Sequence, residues 1–387
     1  MKFLTLGVLA LLLPATLHAE PRRADPAVLA GITDDYAFSL PRGLAPGEIN
    51  LPPAAVPDLP FAPPTGTVRA EAEFEANEGI VVRWGTFNSL LTEMTVPLTT
   101  ATPPSTVYVV VSSTSQQNSA SSTLQSAGAD IAHVRFVIAP TDSVWMRDYG
   151  PRFIIDSGRR AIVDHTYNRP RPNDNLIPIA FGNYLGEPVY AMPLIHGGGN
   201  FHLFADRDAY MTRLIVNENP GLTEQQIQDT YLDYQGLDLT LTDPFPQSFD
   251  STQHIDMWML PMANGKVLIS EYDASESGGI PKAVSDSTAQ LMAGRGYTVF
   301  RTPGWSSGGT HYTYANSVIV NDVVLICRFS GQTARNAQAR ATYEAAMPGY
   351  DVIDVDCSSI IQSAGAIHCI VMHVPDLLYR SEFDTQS

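Results

Sequence analysis

Short apolar runs and polar windows alternate along most of this chain, and the alternation predicts small strands separated by helices. Strand-like runs fall at 79–84, 107–111, 134–138, 161–163, 266–269, 297–300, 317–320, 323–326 and 351–355. Helical windows lie between them. The stretch from Thr223 has the capping-box spacing Thr223 to Gln226. Residues 334–346 are rich in strong helix formers and end before Pro348-Gly349. Residues 287–293 form another helical window.

In the C-terminal third the order is hairpin, helix, strand: 317–320 and 323–326, then 334–346, then 351–355. Residues 266–269, 287–293 and 297–300 have a similar rhythm. A unit of roughly 50 to 60 residues, used about five times, would account for residues 70–375. The pattern carries this reading, because the units show no visible sequence identity.

The two ends of the chain read differently. Residues 1–19 hold one basic residue, a short apolar core and a small residue at the end, the pattern of a secretory signal. That apolar run is too short to span a bilayer comfortably, so no membrane anchor is expected. Residues 20–69 are rich in Pro and Ala, with Pro52-Pro53 and Pro63-Pro64, and read as an extended leader or a strand-poor wrap. Residues 376–387 read as a short polar tail. The expected destination is secreted or periplasmic.

Charge narrows the partners. The chain carries a formal net charge of -17, and loss of the signal, whose one charge is Lys2, gives -17 - 1 = -18. Such a chain repels nucleic acid and anionic lipid and attracts cationic substrates. There are three Cys, at 327, 357 and 369, with no Cys-x-x-Cys spacing, so no metal site is expected. Cys327 and Cys357 end strand-like runs and are the plausible pair, although two separate buried thiols fit as well. Cys369 is the thiol left over.

Cys369 lies in the apolar run 365–372, read as a short strand led by Gly365. A buried structural thiol is the alternative to a nucleophile. His368 adjoins it, and strand alternation would turn the two side chains to opposite faces. His254 is therefore the better base. In His254-Ile-Asp256 an extended backbone puts both side chains on one face, and the carboxylate would favour the charged imidazole. Asp148, in Trp145-Met-Arg-Asp148-Tyr-Gly-Pro, suits a cation clamp beside aromatic rings, or else pairing with Arg147 or a turn cap. Asn316 alone reads equally as a turn residue. Arg169 and Arg171 sit two apart in a Pro-stiffened loop and suggest an anion site, such as a carboxylate. Solvated arginines, or pairing with Asp174, are the alternatives. His196-Gly-Gly-Gly-Asn200 lacks the P-loop Lys and reads as a tight turn near the site.

Taken in order, Trp145-x-x-Asp148-Tyr-Gly-Pro, Gly197-Gly-Gly-Asn200, His254-x-Asp256 and Ile367-His-Cys369 resemble the agmatine deiminase and Porphyromonas-type peptidylarginine deiminase family. The resemblance covers roughly residues 70–375. It implies an α/β fold, the pentein α/β-propeller, with five ββαβ-type units around a pseudo-fivefold axis and a site in the central channel. It also implies hydrolytic deimination. Cys369 attacks the guanidinium carbon, Asp148 and Asp256 hold its nitrogens, and His254 protonates the departing ammonia and then activates water. Asn316 matches an active-site Asn of the peptidylarginine branch, Trp145 lines the substrate channel, and no metal or cofactor is implied.

Within that family, Arg169 and Arg171 suit the carboxylate of a peptide ending in arginine, which agmatine lacks. The run Ser363-Ala-Gly-Ala stands where agmatine deiminases usually have Gly-Gly-Gly-Asn. The expectation is a secreted protein-arginine deiminase acting on arginine-containing peptides or proteins, with agmatine deiminase as the alternative. A cysteine peptidase using Cys369, His254 and Asn316, or a catalytically silent pentein that binds arginine-rich peptides, are readings of other classes.

Overall fold

A computed structural model describes residues 20–34, 36, 39–56 and 58–377. The signal-like segment 1–19 and most of the tail lie outside the described residues.

Five small sheets carry one repeated connection. In each, two antiparallel strands are followed by a helix, and the chain returns as a strand parallel to the second. The first such unit has strands Arg152–Asp156 and Arg159–Tyr167, helix Ile177–Leu185 and strand Val189–His196. The next uses His202–Leu203, Asp208–Thr212, helix Glu224–Gln235 and Asp238–Thr242. A third uses Met259–Ala263, Lys266–Glu271, helix Ile280–Gly294 and Thr298–Ser307. The fourth uses Val318–Val320, Val323–Arg328, helix Thr333–Ala346 and Asp351–Asp356.

The fifth unit is assembled from both ends of the chain. Met372–Pro375 pairs antiparallel with Asn77–Arg83, which continues through helix Asn88–Thr100 to the parallel strand Thr106–Val111. Here Gly79 lies opposite Thr106, and a Cβ on it would stand 1.7 Å from the Thr106 carbonyl oxygen. Only glycine permits that approach.

Local chemistry explains the elements. Thr223 caps helix Glu224–Gln235 through the reciprocal box with Gln226, and Gly236 ends it in the left-handed region. The Val-rich strand Thr106–Val111 is buried along nearly its whole length, as a strand covered on both faces should be. In the leader, Asp25 caps a short helix, Pro26–Gly31, and the first strand is Val68–Ala70, paired with Arg152–Asp156.

Cys327 and Cys357 form a disulfide with Cα atoms 5.3 Å apart. Cys369 is a buried free thiol. It does not lie on a strand, however. It sits in a single 3-10 turn, His368–Ile370, that precedes Met372–Pro375.

Candidate functional site

The five-unit repeat explains how distant residues meet. Each unit places its chemistry just before its first strand. Asp148 belongs to the one-turn helix Met146–Tyr149 before Arg152–Asp156, and Gly199 and Asn200 precede His202–Leu203. His254 stands at the N-terminal cap of the turn Ile255–Met257, and Asp256 lies within it, before Met259–Ala263. Asn316 precedes Val318–Val320, and Cys369 precedes Met372–Pro375. Asp148, His254, Asp256, Asn316 and Cys369 are all fully buried.

Between them lies a guanidinium that the sequence reading did not assign to the site: that of Arg42, from the Pro-rich leader. Asp148 grips one edge, with Oδ2 accepting from Nε at 3.0 Å and Oδ1 from Nη2 at 2.9 Å. Asp256 grips a second edge, with Oδ1 accepting from Nη1 and Oδ2 from Nη2, both at 3.0 Å. Such bidentate, charge-assisted pairs fix a planar cation in position and orientation. Cys369 Sγ is 2.7 Å from Nη1, and His254 Nδ1 is 2.8 Å from Nη2. Arg42 is itself fully buried.

Backbone and glycine geometry complete the seat. The Gly199 amide donates to Asp148 Oδ1 at 3.1 Å. A Cβ on Gly199 would stand 1.7 Å from Arg42 Nη2 and 2.7 Å from Asp148 Oδ1, so the glycine leaves the space that the guanidinium fills. Asn316 Oδ1 accepts from the His368 amide at 3.0 Å and lies 3.3 Å from Cys369 Sγ, while its Nδ2 donates to the Asp256 carbonyl. Asn316 thus ties the Asp256 and Cys369 turns together.

One buried cation faces two buried carboxylates in the seat. Burial opposes ionisation of Asp148, but the Arg42 cation and then His254 outweigh it and hold the carboxyl well below its ordinary value. Asp256 is likewise depressed against burial by Arg42 and His368. Burial lowers His254, and repulsion from Arg42 lowers it further, against the pull of Asp148. Asp148 and Asp256 do favour the imidazolium, as expected of carboxylate neighbours, but loss of water and the adjacent Arg42 cation outweigh them. A guanidinium only donates, so Nδ1 is the accepting nitrogen of a neutral ring. Burial also pushes the Cys369 thiol well up, Arg42 alone among the nearby charges pulling it down.

His368 takes a place that strand alternation did not foresee. Because the backbone turns here, its Nδ1 lies 2.9 Å from Asp256 Oδ2, and its Nε2 lies 2.9 Å from Glu73 Oε2. Glu73 also accepts from Arg147 Nη1 at 2.6 Å. Arg147, adjacent to Asp148, thus points away from the seat and anchors the Glu73–His368–Asp256 chain. No periodicity marked Glu73.

Trp145 is buried and donates from its indole to the Leu40 carbonyl at 2.9 Å. The arginine loop faces the same segment. Arg169 Nε donates to the Arg42 carbonyl at 3.1 Å. Arg171 Nη2 donates to the carbonyls of Pro41 and Gly43, and Arg171 holds the Glu48 carboxylate at 2.9 and 3.0 Å. Asp174 instead receives the backbone of Asp142 and Ser143. The carboxylate held by this loop is the chain's own Glu48.

Chemically, the arrangement aligns an electrophilic guanidinium between two carboxylates, with a thiol and an imidazole on its nitrogens. Residues 69–375 match the family model described as Porphyromonas-type peptidyl-arginine deiminase. A putative agmatine deiminase of Streptomyces avermitilis is 26% identical over 266 residues, covering 60% of this chain and 75% of the relative. One from Legionella pneumophila is 26% identical over 265 residues, covering 63% and 75%. Among solved structures, a C. jejuni agmatine deiminase with substrate bound superposes with a TM-score of 0.70 at 16% identity, over 83% of this chain and 99% of the other. The putative arginine deiminase of Porphyromonas gingivalis gives 0.69 at 19%, over 80% and 99%. At such identities the superpositions establish the fold, a pentein. By the match over nearly all of its folded part, the chain belongs to the Porphyromonas-type peptidyl-arginine deiminase family.

Proposed function

We propose that this guanidino-group deiminase acts on a small guanidino amine of the agmatine type, releasing ammonia and leaving a ureido product. The observation that carries the deimination is the seating of a guanidinium by Asp148 and Asp256 against Cys369 and His254. The names of the relatives support the choice of substrate. The acidic chain also favours a cationic substrate.

In this reading Cys369 is the nucleophile and attacks Cζ. Its thiolate is disfavoured by burial and by both carboxylates, and favoured by the cation in the seat, so the substrate helps to activate the group that attacks it. Nη2, the nitrogen nearest His254, leaves as ammonia with a proton relayed through that imidazole. Water then adds to the amidino-thioether carbon, His254 takes its proton, and the thiol departs. Asp148 and Asp256 hold the cation throughout and keep its plane fixed.

A second reading, deimination of arginine within peptides, is favoured by one observation. The occupant of the seat is a peptide arginine whose flanking carbonyls are held by Trp145, Arg169 and Arg171. Export suits either substrate, and the Cys327–Cys357 disulfide supports an oxidising destination.

The test compares ammonia release from agmatine, an arginine-ending peptide and a peptide with internal arginine. Agmatine turnover exceeding both peptides supports the main reading. Turnover confined to peptides replaces it with the second. Cys369→Ala should lower turnover by at least about 10⁴-fold, as loss of a nucleophile does, and full activity in that variant would overturn the mechanism.

A further inference from the structure

The leader does more than pass near the site. Residues 40–55 are strapped across the arginine loop by a continuous set of backbone contacts. Arg42 N donates to the Ser363 carbonyl at 3.0 Å, and its own carbonyl accepts from Arg169 at 3.1 Å. The Leu40 carbonyl accepts from Trp145, those of Pro41 and Gly43 accept from Arg171, and Glu48 pairs with Arg171. Further on, Ala54 N donates to the Arg169 carbonyl, and the Ala55 carbonyl accepts from Asn175 Nδ2, both at 2.9 Å. A strap gripped on both sides of Arg42 delivers its guanidinium at high effective concentration. The side chain needs no further reach: every one of its nitrogens is already bonded to a group of the seat.

We propose that Arg42 is a self-modification site: the chain deiminates its own leader arginine to citrulline, in cis, before it turns over external substrate. The inference rests on the deiminase reading above. The step balances as for any substrate. The Cys369 sulfur bonds to Arg42 Cζ and gives up its thiol proton, which His254 relays to Nη2, and Nη2 leaves as ammonia. Water then attacks Cζ, the C–S bond breaks, and a ureido oxygen replaces the lost nitrogen. Guanidinium plus water becomes a neutral ureido group plus ammonium.

Neutrality has a consequence for the strap. Asp148 and Asp256 are both buried and both hold Arg42 as a cation. Loss of one partner of a buried ion pair leaves an uncompensated charge. Conversion therefore weakens the plug in the seat and favours exchange of the leader for a new guanidinium.

The test is mass spectrometry of the peptide bearing residue 42, from purified wild type and from Cys369→Ala. Citrulline at 42 in wild type and arginine in the variant is the expected result. Cys369→Ala mixed with a catalytic amount of wild type should keep its arginine, because its own seat shields it. Conversion there would overturn the intramolecular assignment. An unmodified Arg42 in wild type would overturn the proposal, and the Arg42→Met variant then separates the causes. Should Arg42→Met or wild type turn over agmatine or an arginine peptide, the deiminase reading stands and Arg42 is a plug rather than a substrate. Should neither turn over any of these, the deiminase reading falls as well.

Discussion

Gly199 shows how narrow the tolerances of the seat are. It has no side chain to contribute, yet a single added carbon would meet Arg42 Nη2, Asp148 Oδ1 and Asp256 Oδ2, all within 3 Å. The two carboxylates cannot both retreat, because Asp148 is fixed by the Gly199 amide and Asp256 by His368. Gly199→Ala should therefore lower kcat/KM for a guanidino substrate by about 10²-fold, the scale of a 1 Å misplacement at a reacting centre. The fold should survive, since the clash is confined to the seat. Steady-state kinetics beside a thermal melt checks this, and wild-type kcat/KM in the variant would contradict the steric account. At this scale the sequence was informative where residue type alone matters. A thiol, a His-x-Asp and an Asp beside Trp were legible as guanidinium chemistry. Arg42 was not, because nothing local in Leu40-Pro-Arg-Gly sets it apart from other leader residues. Its role exists only through pairing with Asp148 and Asp256, at sequence separations of 106 and 214.

At the scale of elements, periodicity succeeded where one face meets solvent and failed where burial is uniform. Helix Glu224–Gln235 was visible from its cap. Helix Asn88–Thr100 was not: it is buried from Leu90 through Thr99 apart from Glu93, and it contains Pro97, so it has neither a polar stripe nor an uninterrupted helical composition. The run around Cys369 misled in the opposite sense. It is apolar because it is buried, and a 3-10 turn is as buried here as a strand would be. That difference brought His368 back to the site. Strand Arg159–Tyr167 holds another group with no pattern to announce it. Asp164 is buried, and neither of its carboxylate oxygens has a hydrogen-bond partner among the described residues. Burial pushes its carboxyl from 3.8 up to about 8. Between those values the folded chain keeps a proton that the unfolded chain has lost, so this residue makes stability fall as pH rises. Asp164→Asn removes that ionisation with little change of shape. The melting temperature of the variant should gain on wild type progressively from about pH 4 to pH 8. Parallel pH profiles would show that Asp164 is not held protonated.

The molecule as a whole is a closed set of five units whose closure depends on the chain's two ends meeting, and the disulfide stands beside that closure. Cys327 is on strand Val323–Arg328 of the fourth unit, and Cys357 follows its parallel neighbour Asp351–Asp356. The same Asp351–Asp356 strand packs against helix Asn88–Thr100 of the fifth unit, where the Asp356 amide donates to Glu93 at 2.9 Å. The bond therefore fixes one side of the seam at which N- and C-terminal strands join. Cys369, the thiol of the seat, is bonded to neither cysteine. Linking residues 30 apart should contribute about 3–4 kcal/mol by restricting the unfolded chain. Replacing both cysteines with Ala should lower the melting temperature by that equivalent while leaving turnover at 25 °C close to wild type. Reductant should bring wild type down to the melt of the double variant and leave the variant unmoved. A wild-type melt indifferent to reductant would mean that the seam is held by packing alone, with the helix Asn88–Thr100 contact rather than the covalent link deciding when the ring of units opens.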